Sequence, residues 1–343
     1  MNINTSNISS LDLFRGIAGY GVAICHFYYY LYNLDNFEFY SIFFVELFFV
    51  LSGFVLFPQL LRVYNNTRNI KIFYLRRWYR TIPPYLFALV LFSILFSKFD
   101  IDTLKYLLFI QNITDNFVDL DYFYVAWSLS IEEFFYFIFP IFLVVFNKRK
   151  FIHIVILFIL IIYVIKIIYL LLNVDGQFYR IGTFLRLDSI AFGILTRIYF
   201  NKVRNSLINI LSIILVGISM YYFFQDFKNL TTVKLFLFVL LIQYFSVNMI
   251  IIFVNFNKLI ANTFLIGFFS ILSKQTYSVY LFHFVIIYLI SLNSFLLNNE
   301  FIFIFYLIFL FLFSIFFYYI FEKNIMENRP AYKDKDISQR DPQ

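Results

Sequence analysis

Runs of about twenty apolar residues recur along the whole sequence and constrain the fold more than any other feature. A helix needs about 20 mostly apolar residues to cross the hydrocarbon core of a bilayer. Ten runs approach or meet this length: Leu13–Tyr32, Ser41–Leu60, Ile82–Lys98, Ala126–Phe146, Ile152–Leu172, Gly182–Tyr199, Ser206–Phe224, Thr231–Val254, Thr276–Ser294 and Phe301–Phe321. The sequence therefore predicts an all-α polytopic membrane protein with about ten transmembrane helices. The shorter segment Phe264–Leu272 is expected at the membrane interface.

The overall composition agrees with this fold class. Hydrophobic residues make up 62% of the 343 residues and charged residues 14%, whereas soluble domains average about 25% charged. The single cysteine, Cys25, excludes an intrachain disulfide scaffold. No P-loop, dinucleotide-binding glycine motif or cysteine–histidine metal spacing is present. We therefore expect no metal site.

The distribution of basic residues predicts the orientation in the membrane. Cytoplasmic loops retain an excess of Lys and Arg. With the N-terminus inside, 19 basic residues fall on the cytoplasmic side and five on the outer loops and rims. Both termini are then cytoplasmic. Residues 1–325 form one transmembrane domain, and residues 326–343 are expected to be a charged, disordered cytoplasmic tail. Because the positive charges are divided among loops beside the membrane, nucleic acid is not an expected partner.

The first apolar run carries two ionisable residues on one face. Arg15 and His26 are eleven residues apart, which at about 100° per residue returns to nearly the same side of a helix, about 16 Å further along. Asp12 lies on the same stripe. Ionisable groups inside a bilayer face the bundle interior or a wet cavity and are candidates for function. The alternative is a packing helix whose polar groups bond structurally to neighbouring helices.

Ionisable residues of three other predicted helices lie at the depth of His26. They are Glu46, Glu132, Glu133, Arg186 and Asp188. Adjacent residues on a helix point about 100° apart, so one of the two neighbouring glutamates faces a given centre, and we favour Glu132. The shared depth predicts a polar layer within the outer half of the bundle.

A second candidate site precedes the third span. The predicted loop 61–81 holds six basic residues, of which Arg76, Arg77 and Arg80 are closest to the span. Guanidinium groups bind phosphate oxygens in bidentate fashion. The alternative explanation is the ordinary positive charge of a cytoplasmic loop.

Six segments in order resemble acyltransferase family 3, whose members are membrane proteins that O-acylate sugars. The first is Leu11–Gly16 followed by His26, similar to the family's Arg-x10-His motif. The others are Val45–Phe54, Arg77–Pro83, Trp127–Tyr136, Phe184–Asp188 with Gly193, and Tyr277–His283. Glu46 stands where the family more often has Asp, and Asn324 stands where a proline is common.

The resemblance implies an O-acyltransferase of the cell (plasma or inner) membrane. It implies acyl-CoA, most simply acetyl-CoA, as donor and a glycan, glycolipid or lipid-linked sugar as acceptor. Other polysaccharide-synthesis or export proteins are conceivable partners. A transporter or flippase, and a structural subunit of an export complex, remain as alternative functions.

Roles for the residues follow from combining the resemblance with the chemistry of each group. His26 is the expected general base, with Arg15 and Glu132 as further catalytic residues. Arg15 either binds CoA or polarises the thioester carbonyl and stabilises its oxyanion. Glu132 either orients the imidazole or binds the sugar, and an acyl-His26 intermediate is a variant. Arg76, Arg77 and Arg80 are expected to hold the CoA phosphates. Candidate substrate-binding residues are Glu46, Trp127, Arg186, Asp188, Tyr280 and His283.

Overall fold

The computed structural model describes residues 8–114, 123–172, 174–225, 230–261, 264–293, 297 and 300–332, and within these ranges it contains helices and no strand. The longer helices are α1 (Ser9–Tyr32), α2 (Asn36–Asn65), α3 (Ile70–Leu95), α5 (Ala126–Val145), α6 (Phe151–Leu171), α8 (Leu187–Val203), α9 (Ser206–Gln225), α10 (Thr232–Asn255), α12 (Ile266–Ser291) and α13 (Ile302–Phe317). The short helices are α4 (Ile101–Leu107), α7 (Gly176–Ile181), α11 (Asn257–Ala261) and α14 (Lys323–Glu327). A π-helical turn, Tyr318–Glu322, joins α13 to α14.

Seven helical stretches in the described residues are long and apolar enough to cross a membrane. They are α2, α3 with the preceding turn, α5, α6, α9, α10 and the stretch from α13 to α14. The protein is therefore an all-helical, multi-pass membrane protein. The first, sixth and ninth predicted spans correspond to α1, α8 and α12, which are not among the seven.

The position of α1 in the bundle explains its lower hydropathy. α1 packs against α2, α10 and α12, and residues such as Phe14, Ala18, Val22 and Phe27 are at most 1% exposed. A helix surrounded by protein does not need an apolar surface toward lipid, so it can carry polar groups. By contrast, α9 packs mainly on α10 and leaves most of its side chains exposed.

Two glycines allow the backbones of α2 and α8 to touch. A Cβ built on Gly53 would lie 1.8 Å from the Ile190 carbonyl oxygen, and one on Gly193 would lie 1.9 Å from the Val50 carbonyl oxygen. Small residues permit this kind of close approach between membrane helices. The contact fixes α8 against the middle of α2.

Three sequence-based expectations about boundaries differ from the structure. The predicted loop 61–81 is mostly helical, because α2 continues to Asn65 and α3 begins at Ile70. The predicted interfacial segment is continuous with the ninth span, since Ile266–Ser291 is one helix. The chain from residue 326 to Tyr332 is packed against α2 and α3 rather than disordered, whereas residues 333–343 lie outside the described residues. Helices that extend beyond the hydrocarbon core acquire polar residues, which a hydropathy pattern does not distinguish from a loop.

The contact between α2 and α8 predicts different effects of adding one methyl group at two glycines. We expect Gly53→Ala to destabilise the protein by about 1–3 kcal/mol because the methyl group meets a rigid backbone. Gly217→Ala is the matched control, since nothing lies within 4 Å of its Cβ position. Thermal unfolding in detergent measures both variants. Equal melting temperatures would contradict the close approach.

Candidate active site

A cavity of about 110 Å³ opens between α1, α2, α3, α5 and α12. Its polar lining comes from Arg15, Ser52, Arg77, Arg80, Thr81, Ser128, Glu132, Tyr136, Thr276, Tyr277 and Tyr280. Its apolar lining includes Phe48, Phe49 and Val55. Three of the predicted arginines and the favoured glutamate thus meet in one place, although they come from three different helices.

Hydrogen bonds hold two of the arginines in position. Nη2 of Arg77 donates to Oε1 of Gln59 over 2.6 Å. Nη1 of Arg15 donates to Oγ of Ser273 over 3.1 Å. Nε of Arg77 is buried without a hydrogen-bond partner among the described residues. Three guanidinium groups against one carboxyl group favour an anionic ligand.

Glu132 is held by a tyrosine one turn further along α5. The hydroxyl of Tyr136 donates to Oε2 of Glu132 over 3.1 Å and lies 3.0 Å from Oγ of Ser52. The neighbouring Glu133 is also buried, but it does not line the cavity. Of the two glutamates, the structure brings the favoured Glu132 into the cavity with Arg15, Arg77 and Arg80.

His26 forms a buried pair with His283. Nδ1 of His26 lies 2.8 Å from Nε2 of His283, and Nδ1 of His283 lies 3.1 Å from the carbonyl oxygen of Val279. A carbonyl only accepts, so Nδ1 of His283 carries a proton, and Nε2 of a neutral His283 accepts from Nδ1–H of His26. These tautomers are inferred from the hydrogen-bond network. They leave Nε2 of His26 as the nitrogen with a free lone pair, as required of a base.

The histidine pair lies next to the cavity but does not line it. Tyr280 connects the two regions: it lines the cavity, hydrogen-bonds to Ser128, and its ring centroid lies 6.0 Å from that of His283. Around His26, the rings of Tyr30, Tyr124 and Phe284 lie with centroids 4.9–6.1 Å away. The hydrogen-bond partner of the His26 imidazole is therefore His283. His283 takes the orienting position that the sequence analysis had considered for Glu132.

Three predicted substrate-binding residues are paired inside the protein instead. Arg186 is ion-paired with Glu46, and Nζ of Lys166 lies 2.5 Å from Oδ2 of Asp188. All four side chains are at most 1% exposed, and none of them lines the cavity. Removing one partner of a buried ion pair is strongly destabilising. Their geometry therefore fits a structural role, in which each charge neutralises another.

Of the remaining predicted residues, some lie outside the cavity lining and others belong to the cavity or the histidine pair. Trp127 is buried, and its ring centroid lies 6.1 Å from that of Phe49, outside the cavity lining. Arg76 also lies outside the lining, and its Nη1 donates to the carbonyl oxygen of Pro330 over 2.7 Å. Tyr280 lines the cavity, and His283 supports His26.

Sequence analysis missed several residues that position the site: Ser52, Gln59, Tyr136 and Ser273. Two of them could have been found from their helical spacing to another residue of the site. Tyr136 is four residues after Glu132 and therefore on the same helix face. Gln59 is seven residues after Ser52, again on one face. Ser273 carried no such signal, because it lies between the predicted interfacial segment Phe264–Leu272 and the ninth predicted span.

A second, larger cavity of about 570 Å³ lies between α6, α8, α9 and α10. It is lined by none of the predicted site residues. In the described part of the chain, no group of three or more His, Cys, Asp or Glu residues is arranged to hold a metal ion. The arginine-lined cavity with the adjoining histidine pair is therefore the candidate active site.

Comparison with known proteins identifies the family of this chain. The family model described as "Acyltransferase domain", acyltransferase family 3, matches residues 8–322. The Bacillus subtilis (strain 168) protein named "Putative peptidoglycan O-acetyltransferase YrhL" is 35% identical over 120 residues. That match covers 29% of this chain and 19% of the relative, so the chain matches less than a fifth of that protein. No solved structure matches significantly. Because the family model spans almost the whole described chain, the protein belongs to acyltransferase family 3 and is a membrane-embedded acyltransferase.

Proposed function

We propose that the protein transfers an acetyl group from acetyl-CoA to a hydroxyl group of a cell-surface glycan or glycolipid at the cell membrane. The observation that carries this proposal is the arginine-lined cavity beside a histidine whose partner leaves Nε2 basic. The name of the Bacillus relative refers to O-acetylation of peptidoglycan, a glycan. This name supports acetyl as the acyl group and a sugar hydroxyl as the acceptor.

The arginines suit the donor. In our proposal Arg77 and Arg80 bind phosphate oxygens of CoA at the cytoplasmic mouth, and the narrow cavity takes the pantetheine arm. Arg15 lines the same cavity, whereas about 16 Å of helix separates it from His26. We therefore assign Arg15 to donor binding, because it is too far from His26 for both to act on one carbonyl group.

The histidine pair suits proton transfer from the acceptor. Nε2 of His26 takes the proton of the acceptor hydroxyl while its oxygen attacks the thioester carbonyl carbon. The carbon–sulfur bond then breaks, CoA leaves as a thiolate, and the proton held by His26 goes to that sulfur. His283 orients the imidazole and fixes its tautomer, as carboxylates and carbonyls do in other histidine sites. Direct transfer of this kind requires Tyr280 to move from between the cavity and the pair.

We also propose that α1, α8 and α12 cross the membrane, which gives ten spans with both termini in the cytoplasm. Their polar residues point to partners within the bundle: Arg15 to Ser273, Asp188 to Lys166, and His283 to His26. Such partners lower the cost of an ionisable group inside the bilayer. The count of basic residues on the two sides supports the orientation.

The orientation predicts opposite labelling of two introduced cysteines. Asn33→Cys lies between α1 and α2 on the proposed outer side, and Lys148→Cys lies between α5 and α6 on the proposed inner side. We expect a membrane-impermeant maleimide to label the first in intact cells and the second only after permeabilisation. The native Cys25 is 4% exposed and provides the background. Labelling of Lys148→Cys in intact cells would reverse the topology.

The base assignment predicts a graded loss of activity at the two histidines. His26→Ala should lower kcat by about 10²–10⁴-fold, the usual contribution of a general base. His283→Ala should lower kcat by about 10–100-fold with little change in the donor KM, since it acts through His26. The assay follows labelled acetyl transfer to a glycan acceptor by the purified protein. His153→Ala, which removes an exposed histidine, is the control, and full activity of His26→Ala would reject the mechanism.

The donor assignment predicts a defect in CoA binding when the cavity arginines are removed. Arg77→Ala with Arg80→Ala should raise the dissociation constant for CoA by about 10²–10⁴-fold, because each lost charge-assisted hydrogen bond contributes about 1.5–3 kcal/mol. Isothermal titration calorimetry measures the change. Arg149→Ala is the matched control, since Arg149 is exposed between α5 and α6. If the double variant and the control bind CoA equally, the arginines do not hold the donor.

A further inference from the structure

The chain returns to the arginine-rich mouth after its last helix. α14 packs against α3, and Nε of Arg329 donates to the carbonyl oxygen of Met326 over 2.8 Å. The carbonyl oxygen of Pro330 accepts from Arg76 over 2.7 Å. The guanidinium carbons of Arg62 and Arg76 lie 4.7 and 5.3 Å from the centroid of the Tyr332 ring. Residues 328–332 are thus fixed beside the basic ends of α2 and α3, and we call them the C-terminal segment.

The C-terminal segment adds a positive charge to an existing cluster. Burial lowers the pKa of Arg329, and the positive charges of Arg76, Arg80 and Arg77 lower it further. Like charges gathered in one place repel each other unless an anion lies between them. The added positive charge of Arg329 therefore favours a negatively charged ligand at this place.

Two hydrogen-bond donors near the C-terminal segment have no partner. Nε of Arg77 and the hydroxyl of Tyr332 are buried without a hydrogen-bond partner in the described part of the chain. Burial raises the pKa of Tyr332 although three arginines act in the opposite direction, so the phenol keeps its proton and can donate. Buried polar groups in proteins are normally hydrogen-bonded, and each exception requires an explanation. Two neighbouring donors without acceptors indicate a ligand with acceptor oxygens.

We propose that the C-terminal segment is a wall of the donor site, in which Arg329 and Tyr332, with Arg62, bind the phosphate groups of a nucleotide-diphosphate donor. This inference rests on the proposed function, because it concerns the donor of that reaction. Arg76 and Arg77 face the same phosphates from α3. A diphosphate supplies both the negative charge that separates the arginines and the oxygens that accept from the free donors. The hydrogen bond from Arg76 to Pro330 holds the segment in place.

The test measures binding of CoA and of inorganic pyrophosphate to the purified full chain by calorimetry. Arg329→Gln and Tyr332→Phe should each weaken binding of both ligands by about ten-fold, the value of one hydrogen bond to a charged group. Tyr332→Phe retains the ring beneath the arginines, so the segment stays packed. Lys323→Gln and Tyr319→Phe are the matched controls, since both residues are exposed and interact with each other instead. Thermal melting of each variant verifies folding.

The outcomes separate this inference from the proposed function. Unchanged or tighter binding by Arg329→Gln and Tyr332→Phe, with normal CoA binding by the wild type, would overturn the inference and leave the proposed function standing. Pyrophosphate binding that depends on these residues, without any CoA binding, would retain the anion site and reject the proposed donor. Failure of the wild type to bind either ligand would reject both.

Discussion

Ionisable side chains inside a membrane require partners, and this requirement organises the structure. Among the helices that carry them, α1, α8 and α12 bury at least half of their residues within the protein. Close contact between α2 and α8 at Gly53 and Gly193 brings Glu46 within reach of Arg186. The cost of burying each charge is offset by a neighbour in the protein, which in turn fixes how the helices are arranged.

The buried polar residues divide into three groups with different environments. Glu46, Arg186, Asp188 and Lys166 neutralise each other as two ion pairs and line neither cavity. A second group, with three arginines and Glu132, lines an open cavity with an excess of positive charge. The third group is His26 with His283, a neutral pair in an aromatic surrounding. The second group lines a cavity and the third lies next to it, which is why the proposed chemistry is assigned to them.

The arrangement of these groups is consistent with an acyltransferase that takes its donor from one end and its acceptor near the other. The positive cavity suits the phosphates of the donor, whereas the neutral histidine suits proton removal. Tyr280, which is hydrogen-bonded to Ser128, connects the cavity with the histidine pair. In the proposed function this separation keeps the thioester away from His26 until Tyr280 moves. On α1, Arg15 then binds the donor and His26 acts as the base.

Much of this protein is determined by its sequence alone. The bilayer requires long apolar runs and penalises charge within them, so the helical membrane class, the stripe with Arg15 and His26, and the basic residues before the third span are evident from residue order. The partners of the ionisable residues are not evident from residue order. The spacing of residues on one helix gives their depth but not the direction in which a neighbouring helix lies. His26 and His283 are 257 residues apart, and equal depth alone had favoured Glu132 instead. Only the packing of the helices decided that His283 supports His26, that Glu46 and Asp188 are neutralised by Arg186 and Lys166, and that the end of the chain returns to Arg62 and Arg76.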